Sequence, residues 1–231
     1  MFNLIQPTMR ISRATNQSIK YACTNFHYAK SVPANPIGYN IYNASNEWCG
    51  VILYAVGACY NIGSEYDLPI GRVLELVRVA LNGKQECTSQ ALALSLKQLK
   101  KDRPLVELIV SYADCDQNHL GTIYQATNWI YVGENGGGSR CGFLVNGKKM
   151  HKKSVHSRKI VVKGKSIHCP NTLEAVRQYL DPNAIEIRTK GKRKYLMPLT
   201  KNMRKKIAPL MKPYPKNDDW VKIDRESFKN Q

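Results

Sequence analysis

The chain has 231 residues, 43% of them hydrophobic, and a formal net charge of +18. That length and apolar content suit one domain with extensions or two small domains, and no apolar run approaches the roughly 18 residues of a membrane span. Seven cysteines, an odd number with no Cys-x-x-Cys pair, argue for reduced thiols in a cytoplasm rather than a disulfide framework or a structural zinc site. Residues 1–20 lack the apolar centre of a secretory signal, which fits that location.

Met9 to Arg13 reads as a short strand. Residues 14–30 read as a helix capped near Thr15 or Asn16, with Ile19, Ala22, Cys23 and Phe26 as its apolar stripe. His27 and Tyr28 fall at the C-terminal end of that helix, before Pro33 and Pro36 break the chain. Residues 38–42 and 49–57 read as antiparallel strands joined by the turn-like Asn43-Ala44-Ser45-Asn46-Glu47. A loop with Gly63, Pro69 and Gly71 covers 60–71, and a strand covers 73–81. Residues 88–101 form an amphipathic helix with Leu92, Leu96 and Leu99 inward.

The apolar run Leu105 to Val110 reads as a buried strand. Its end releases Ser111, Tyr112, Asp114, Asp116, Gln117 and His119, grouped as a reaction site at the end of a central strand would be. After Gly121 a short helix carries Leu120, Ile123 and Thr127 toward a core, and Trp129 to Val132 is another strand. Gly136-Gly137-Gly138-Ser139 reads as a flexible break. Residues 151–165 are expected to be basic and poor in strands until Ile160-Val161-Val162, with a short helix over 172–180. A strand over 195–199 is expected to return to the core sheet. A basic helix or turn over 203–211 and a partly disordered tail over 212–231 follow. The order predicts a mixed α/β sheet flanked by helices: a core over 1–145 and a basic extension over 146–231.

Charge divides the chain the same way. Residues 1–145 hold 12 Lys+Arg and 10 Asp+Glu, whereas residues 146–231 hold 23 and 7. A basic excess this concentrated points to a polyanion, usually nucleic acid; solubility or an anionic membrane surface are the other readings. The phosphate-contact candidates are Lys148, Lys149, Lys152, Lys153, Arg158, Lys190, Lys192, Arg193 and Lys194. Tyr42, Tyr60 and Tyr66 are candidates for stacking on an extruded base, although aromatic residues are more often core.

The segment Asp114-Cys115-Asp116-Gln117, followed by Gly121-Thr122-Ile123-Tyr124-Gln125, resembles the signature of the Mom family, and the resemblance extends over residues 1 to about 215. It implies a divergent GNAT-type acyltransferase fold, with a mostly antiparallel sheet flanked by helices. It also implies an enzyme that adds a carbamoylmethyl group to the exocyclic amine of adenine in phage DNA, in the host cytoplasm, and so shields that DNA from restriction. Duplex DNA is then the partner. The rival readings are an acetyltransferase of protein or small-molecule amines and a non-enzymatic nucleic-acid-binding protein on such a scaffold.

On that resemblance Tyr124 occupies the place of the tyrosine that protonates a leaving group; the plain alternative is a core tyrosine. Asp114 and Asp116 could take a proton from the amine or hold the base edge, or simply cap a turn. His27 and Tyr28 would line the acceptor site, or His27 could serve the helix dipole. Ser111, Tyr112, Gln117 and His119 complete the substrate-side set. Arg78, Lys84 and Ser89 are the donor-side candidates, but the segment Asn82 to Ser89 has one Gly where GNAT enzymes carry a Gly-rich phosphate turn. The donor is therefore either acetyl-CoA or an aminoacyl-tRNA, whose glycyl unit has the atoms of the transferred group. His27, Asp114, Asp116 and His119 are suitable types to ligate iron or zinc, although their spacing matches no standard motif.

Overall fold

The computed structural model describes residues 8–57, 61–135, 140–188 and 190–216. Tyr60, the 136–139 break and the tail beyond 216 lie outside the described residues. In chain order the elements are β1 (Arg10–Arg13), α1 (Asn16–Asn25), β2 (Ile37–Tyr42), β3 (Trp48–Ala55), β4 (Val73–Leu81), α2 (Thr88–Asp102), β5 (Leu108–Asp114), α3 (Thr122–Ala126), β6 (Ile130–Asn135), β7 (Arg140–Val145), β8 (Lys148–His151), α4 (Lys152–His156), β9 (Lys159–Val162), β10 (Lys165–His168), α5 (Leu173–Tyr179), β11 (Ile185–Arg188), β12 (Lys192–Pro198) and α6 (Lys201–Ile207). Two compact units emerge. The first holds residues up to 113, 120–133 and those from 193 on; the second holds 114–119 and 134–192. The boundary expected at 145 thus falls at 133/134, and the last part of the basic extension belongs to the first unit.

The first unit is built on a seven-stranded sheet in the order β1-β2-β3-β4-β5-β12-β6. Neighbours from β1 to β4 pair antiparallel, and β4 pairs β5 in parallel. β12 (Lys192–Pro198) lies in the sheet between β5 and β6. β3 is buried nearly throughout, so its apolar run serves both faces. Ile52 and Tyr54 join the Leu92, Leu96 and Leu99 face of α2, while Val51 and Leu53 join Ile19, Ala22 and Cys23 of α1. Met203 and Ile207 of α6 pack with Val73, Leu108, Val110 and Leu196. The chain after α6 runs beside β6, where Lys212 N–H donates to the Tyr131 carbonyl (2.8 Å) and Tyr214 Oη to that of Trp129 (2.6 Å). That contact covers an edge strand.

Helix α1 is shorter than its sequence suggested. A Thr15–Ser18 capping box starts it. The Asn25 side chain donates to the Tyr21 carbonyl (2.8 Å) at its end, and the chain turns away before the left-handed Lys30 (φ 49°). β5 is displaced toward higher numbers: Pro104 has no N–H, and Glu107 and Leu108 both donate to the Arg72 carbonyl. Ser111 to Asp114 are therefore strand residues. In α3 the buried residue is Tyr124, with Leu120, Ile123 and Thr127 only half-buried.

In the second unit β9 (Lys159–Val162) falls where the sequence placed Ile160-Val161-Val162, while β7, β8, β10 and β11 are strands the sequence reading did not contain. The unit contains a three-stranded sheet, β11-β7-β8, and a separate hairpin, β9-β10, around Phe143, Val145, Val155, Ile160, Cys169 and Val176. Two tight turns make these strands. Asn146 and Gly147 (φ 48° and 73°) join β7 to β8, and Lys163 and Gly164 (φ 47° and 76°) join β9 to β10. Positive φ at both central positions matches the twist of a two-residue hairpin.

Gly121 has φ 77°, and a Cβ there would meet the Tyr195 ring at 2.5 Å. Gly121→Ala is expected to lower stability by about 2 kcal/mol or more, from left-handed strain plus overpacking. Chemical denaturation measures it, and a cost below about 0.5 kcal/mol would contradict this packing.

Candidate functional site

The site begins where two parallel strands part. β4 and β5 are in register only over Val73–Glu75 and Leu108–Val110, yet both strands continue. The β3–β4 register shifts between Leu53, opposite Arg78, and Tyr54, opposite Leu76. Val77 is therefore the extra residue of a bulge. Leu76 joins the α2-side core and Ala80 the α1-side core, although an unbulged strand would put both on one face.

At the parting, Ser111 substitutes for ladder pairing. Its Oγ lies 3.1 Å from the Leu76 carbonyl and 2.9 Å from Tyr124 Oη. A hydroxyl carries one proton, so Ser111 donates to either partner, and donation to Tyr124 leaves the phenol's own proton to point elsewhere. The Tyr124 ring packs against Trp129 and Tyr195, with centroids 5.1 and 5.0 Å away. Gly121 starts α3 close to Tyr195, whose hydroxyl donates to the Leu120 carbonyl. Burial pushes the Tyr124 phenol up, the Ser111 hydrogen bond partly offsets this, and the fields of Tyr28 and Glu75 raise it further. The group is held protonated, as suits an acid.

Tyr28 stacks on His27 at 4.4 Å and is 53% exposed. His27 Nδ1 accepts from Ala29 N–H (3.1 Å), beyond the end of α1. Glu75, half-buried at the last paired position of β4, is absent from the sequence-based set. Its signal was an acid inside the apolar run Val-Leu-Glu-Leu-Val. Tyr112 alternates away from Ser111 and packs with the Val110 and Leu196 cluster.

Of the three residues expected on the donor side, Ser89 lines a cavity of about 420 Å³, together with Gln90, Ala93 and Leu96 of α2 and with Ala126, Thr127, Asn128 and Met197. Arg78 instead donates to the Val77 carbonyl (2.6 Å) and the Ser31 hydroxyl (3.2 Å), and Lys84 lies exposed on the turn before α2.

In the second unit Asp114 Oδ1 accepts from Asp116 N–H (2.9 Å), capping the short turn Cys115–Gln117. Asp116 Oδ1 accepts from Lys190 N–H (3.2 Å), and Lys190 Nζ donates to Asn118 Oδ1 (3.3 Å). Gln117 and His119 are exposed. Among the described residues no three His, Cys, Asp or Glu side chains are grouped to hold a metal ion, so the set of His27, Asp114, Asp116 and His119 is not assembled.

The basic candidates separate by environment. Lys148, Lys149, Lys153, Arg158, Lys190 and Lys192 are exposed, and Arg193 is half-buried. Lys152 pairs with Glu186 at 2.8 Å. Lys194 is buried, 2.5 Å from Glu65 and 5.0 Å over the Tyr66 ring, because β12 carries it into the sheet. It is a structural cation rather than a phosphate contact. Tyr66, 2% exposed, has no face for a base, and Tyr42 packs under Arg10.

These features define a mixed α/β protein with a bulged, parted sheet, a buried serine–tyrosine hydroxyl pair at the opening and a cavity lined by α2, the end of α3 and Met197. The Mom protein family matches residues 8–216, and the chain belongs to it. Among curated proteins no sequence matches. Solved structures similar to the chain include a Bacillus subtilis acetyltransferase in complex with CoA (10% identity, 84% of this chain and 99% of that one, TM-score 0.43). Others are a spermidine/spermine N-acetyltransferase from Vibrio cholerae with manganese ions (9%, 86% and 96%, 0.43) and a GNAT family acetyltransferase from Elizabethkingia anophelis with acetyl-CoA (12%, 83% and 99%, 0.41).

Two predictions follow from this geometry. Asp114→Ala removes the turn cap and is expected to cost about 1 kcal/mol, whereas Asp114→Asn keeps an acceptor and should cost less than half of that. Urea denaturation checks the pair, and equal costs would deny the capping role. Burial also pushes the Tyr195 phenol up to about 12 and raises Tyr39, Tyr54 and Tyr66. Unfolded tyrosines release their protons near pH 10. Above that pH the unfolded chain holds fewer protons, so stability should fall as pH rises, through about 12 for Tyr195. Denaturation midpoints at about pH 9 and about pH 11 should differ, and less so in Tyr195→Phe.

Proposed function

We propose that this protein transfers an acyl-type unit to an amine, and that the acceptor is the exocyclic amine of adenine in phage DNA, which becomes carbamoylmethylated and escapes host restriction. Membership of the Mom family supports the substrate. The observation that carries the chemistry is the Ser111–Tyr124 hydroxyl pair at the parting of β4 and β5. An adenine amine inside a duplex is poorly reachable, so the base must be extruded to react; the exposed Tyr28 ring offers it a stacking surface.

The amine nitrogen attacks the donor's carbonyl carbon. A carbon–nitrogen bond forms, the bond to the departing oxygen of a glycyl ester breaks, and Tyr124 gives that oxygen its proton. Glu75, whose field reaches Tyr124, takes the proton lost by the amine. The cavity beside α2 is of the size that small-molecule sites have and would hold the reacting end of the donor. With a glycyl donor, as on an aminoacyl-tRNA, the first adduct is an isomer of the carbamoylmethyl product. Attack of its terminal amine at adenine C6, with departure of the original nitrogen, completes the conversion without oxidant or added carbon.

Tyr124→Phe and Ser111→Ala should each lower modification at least about tenfold with the fold retained, the scale of a lost acid or its orienting partner. Mass spectrometry of nucleosides from digested DNA, with circular dichroism of the purified variants, reads both. Near-normal modified adenine in both variants would remove the pair from the chemistry. Labelled product on a protein or small-molecule amine, with none on adenine, would overturn the acceptor.

A further inference from the structure

Between Glu134 and Glu174 the sequence has no acidic residue and nine Lys or Arg. The β9–β10 hairpin lies inside that stretch. It is a sheet of its own, paired from Lys159 opposite His168 to Val162 opposite Lys165. Directly paired residues share a face. One face carries the Ile160–Ile167 and Val162–Lys165 pairs, and Ile160 anchors it in the second unit's core. The other carries Lys159, His168, Val161 and Ser166, all exposed, with Val161 at 70%. The open end is fixed: Cys169 N–H donates to the Arg158 carbonyl (2.8 Å), and the His156 and His168 rings stack at 5.3 Å. The free end holds Lys163 and Lys165 around a tight turn.

A lone exposed valine is ordinary. Its setting here is not: it stands on the outward face of a two-stranded ribbon, between Lys159 and Lys163, with no carboxylate in the stretch. A two-stranded ribbon is of a width that the major groove admits. Lysines along its rim reach phosphates, and an outward aliphatic meets the apolar base edges.

We propose that the β9–β10 hairpin is a groove-entering element for duplex DNA, with Lys163 and Lys165 on phosphates and Val161 against the bases. The proposal rests on the DNA reading above, and the test separates the two. Binding of a fluorescent duplex is measured across a salt series with the full chain. Lys163→Ala with Lys165→Ala should flatten the log–log slope by about 1.8, since each neutralised phosphate contributes about 0.9. Lys97→Ala with Lys100→Ala, exposed on α2, removes equal charge and should leave the slope unchanged. Val161→Asp should weaken binding at least about tenfold and Val161→Thr less than about threefold, because an anion inside the groove faces the phosphates. If the hairpin variants behave like the α2 variant while wild type binds duplex strongly, the hairpin proposal falls and the function stands. If wild type binds no duplex, both fall. Loss of affinity for a structured RNA with duplex affinity intact would overturn the proposal in favour of an RNA-binding ribbon.

Discussion

The rest of the first unit depends on the failure of β4 and β5 to stay paired. The bulge at Val77 turns β4 just past Leu76, so β5 continues beside it without a ladder. A backbone carbonyl left bare inside a sheet is costly. Ser111, 1% exposed, sets its hydroxyl 3.1 Å from the Leu76 carbonyl and 2.9 Å from Tyr124 Oη, with one proton for either acceptor. That places a side-chain oxygen where a backbone bond would otherwise run, within reach of Tyr124. The opening, its polar lining and the tyrosine that faces it are consequences of one extra residue.

The aromatic layer under α3 makes that arrangement stiff. Tyr124, Trp129, Tyr131 and Tyr195 form a chain of ring contacts at 5.0–5.2 Å, and Tyr195 comes from β12, near the end of the described chain. Such tilted pairs add stability beyond the area they bury. The C-terminal segment is thus part of the wall of the site and not an appendage to it. Lys194 differs from Lys192, two positions earlier on the same face of β12, because Lys192 stands at the exposed start of the strand while Lys194 lies within the sheet against Glu65 and Tyr66.

The second unit shows how a strongly basic segment can still fold. Its core is small, and its strands are set by Asn146-Gly147 and Lys163-Gly164, whose backbones take the positive φ that tight hairpins need. Both dipeptides were visible in the sequence. Each lies between short alternating runs, where a tight-turn dipeptide is a hairpin signal that the surrounding lysines mask.

What the sequence alone determined was the ladder of elements in the first unit. The strand at 73–81 and the helix near 88–101 followed from apolar period and from Pro and Gly punctuation, which are local properties. It also exposed Tyr124, Asp114 and the Mom signature around them. It did not determine which candidates meet. Ser111 and Tyr124 are thirteen positions apart and touch because β5 and α3 fold back on each other. Glu75 joins their field only through the parallel pairing with Val110. Asp114 is occupied by a turn that forms two residues later. Registers, bulges and burial are settled between segments distant in the chain. No window of residues contains them, and only the tertiary structure could decide which hydroxyl faces which carbonyl and which lysine remains in water.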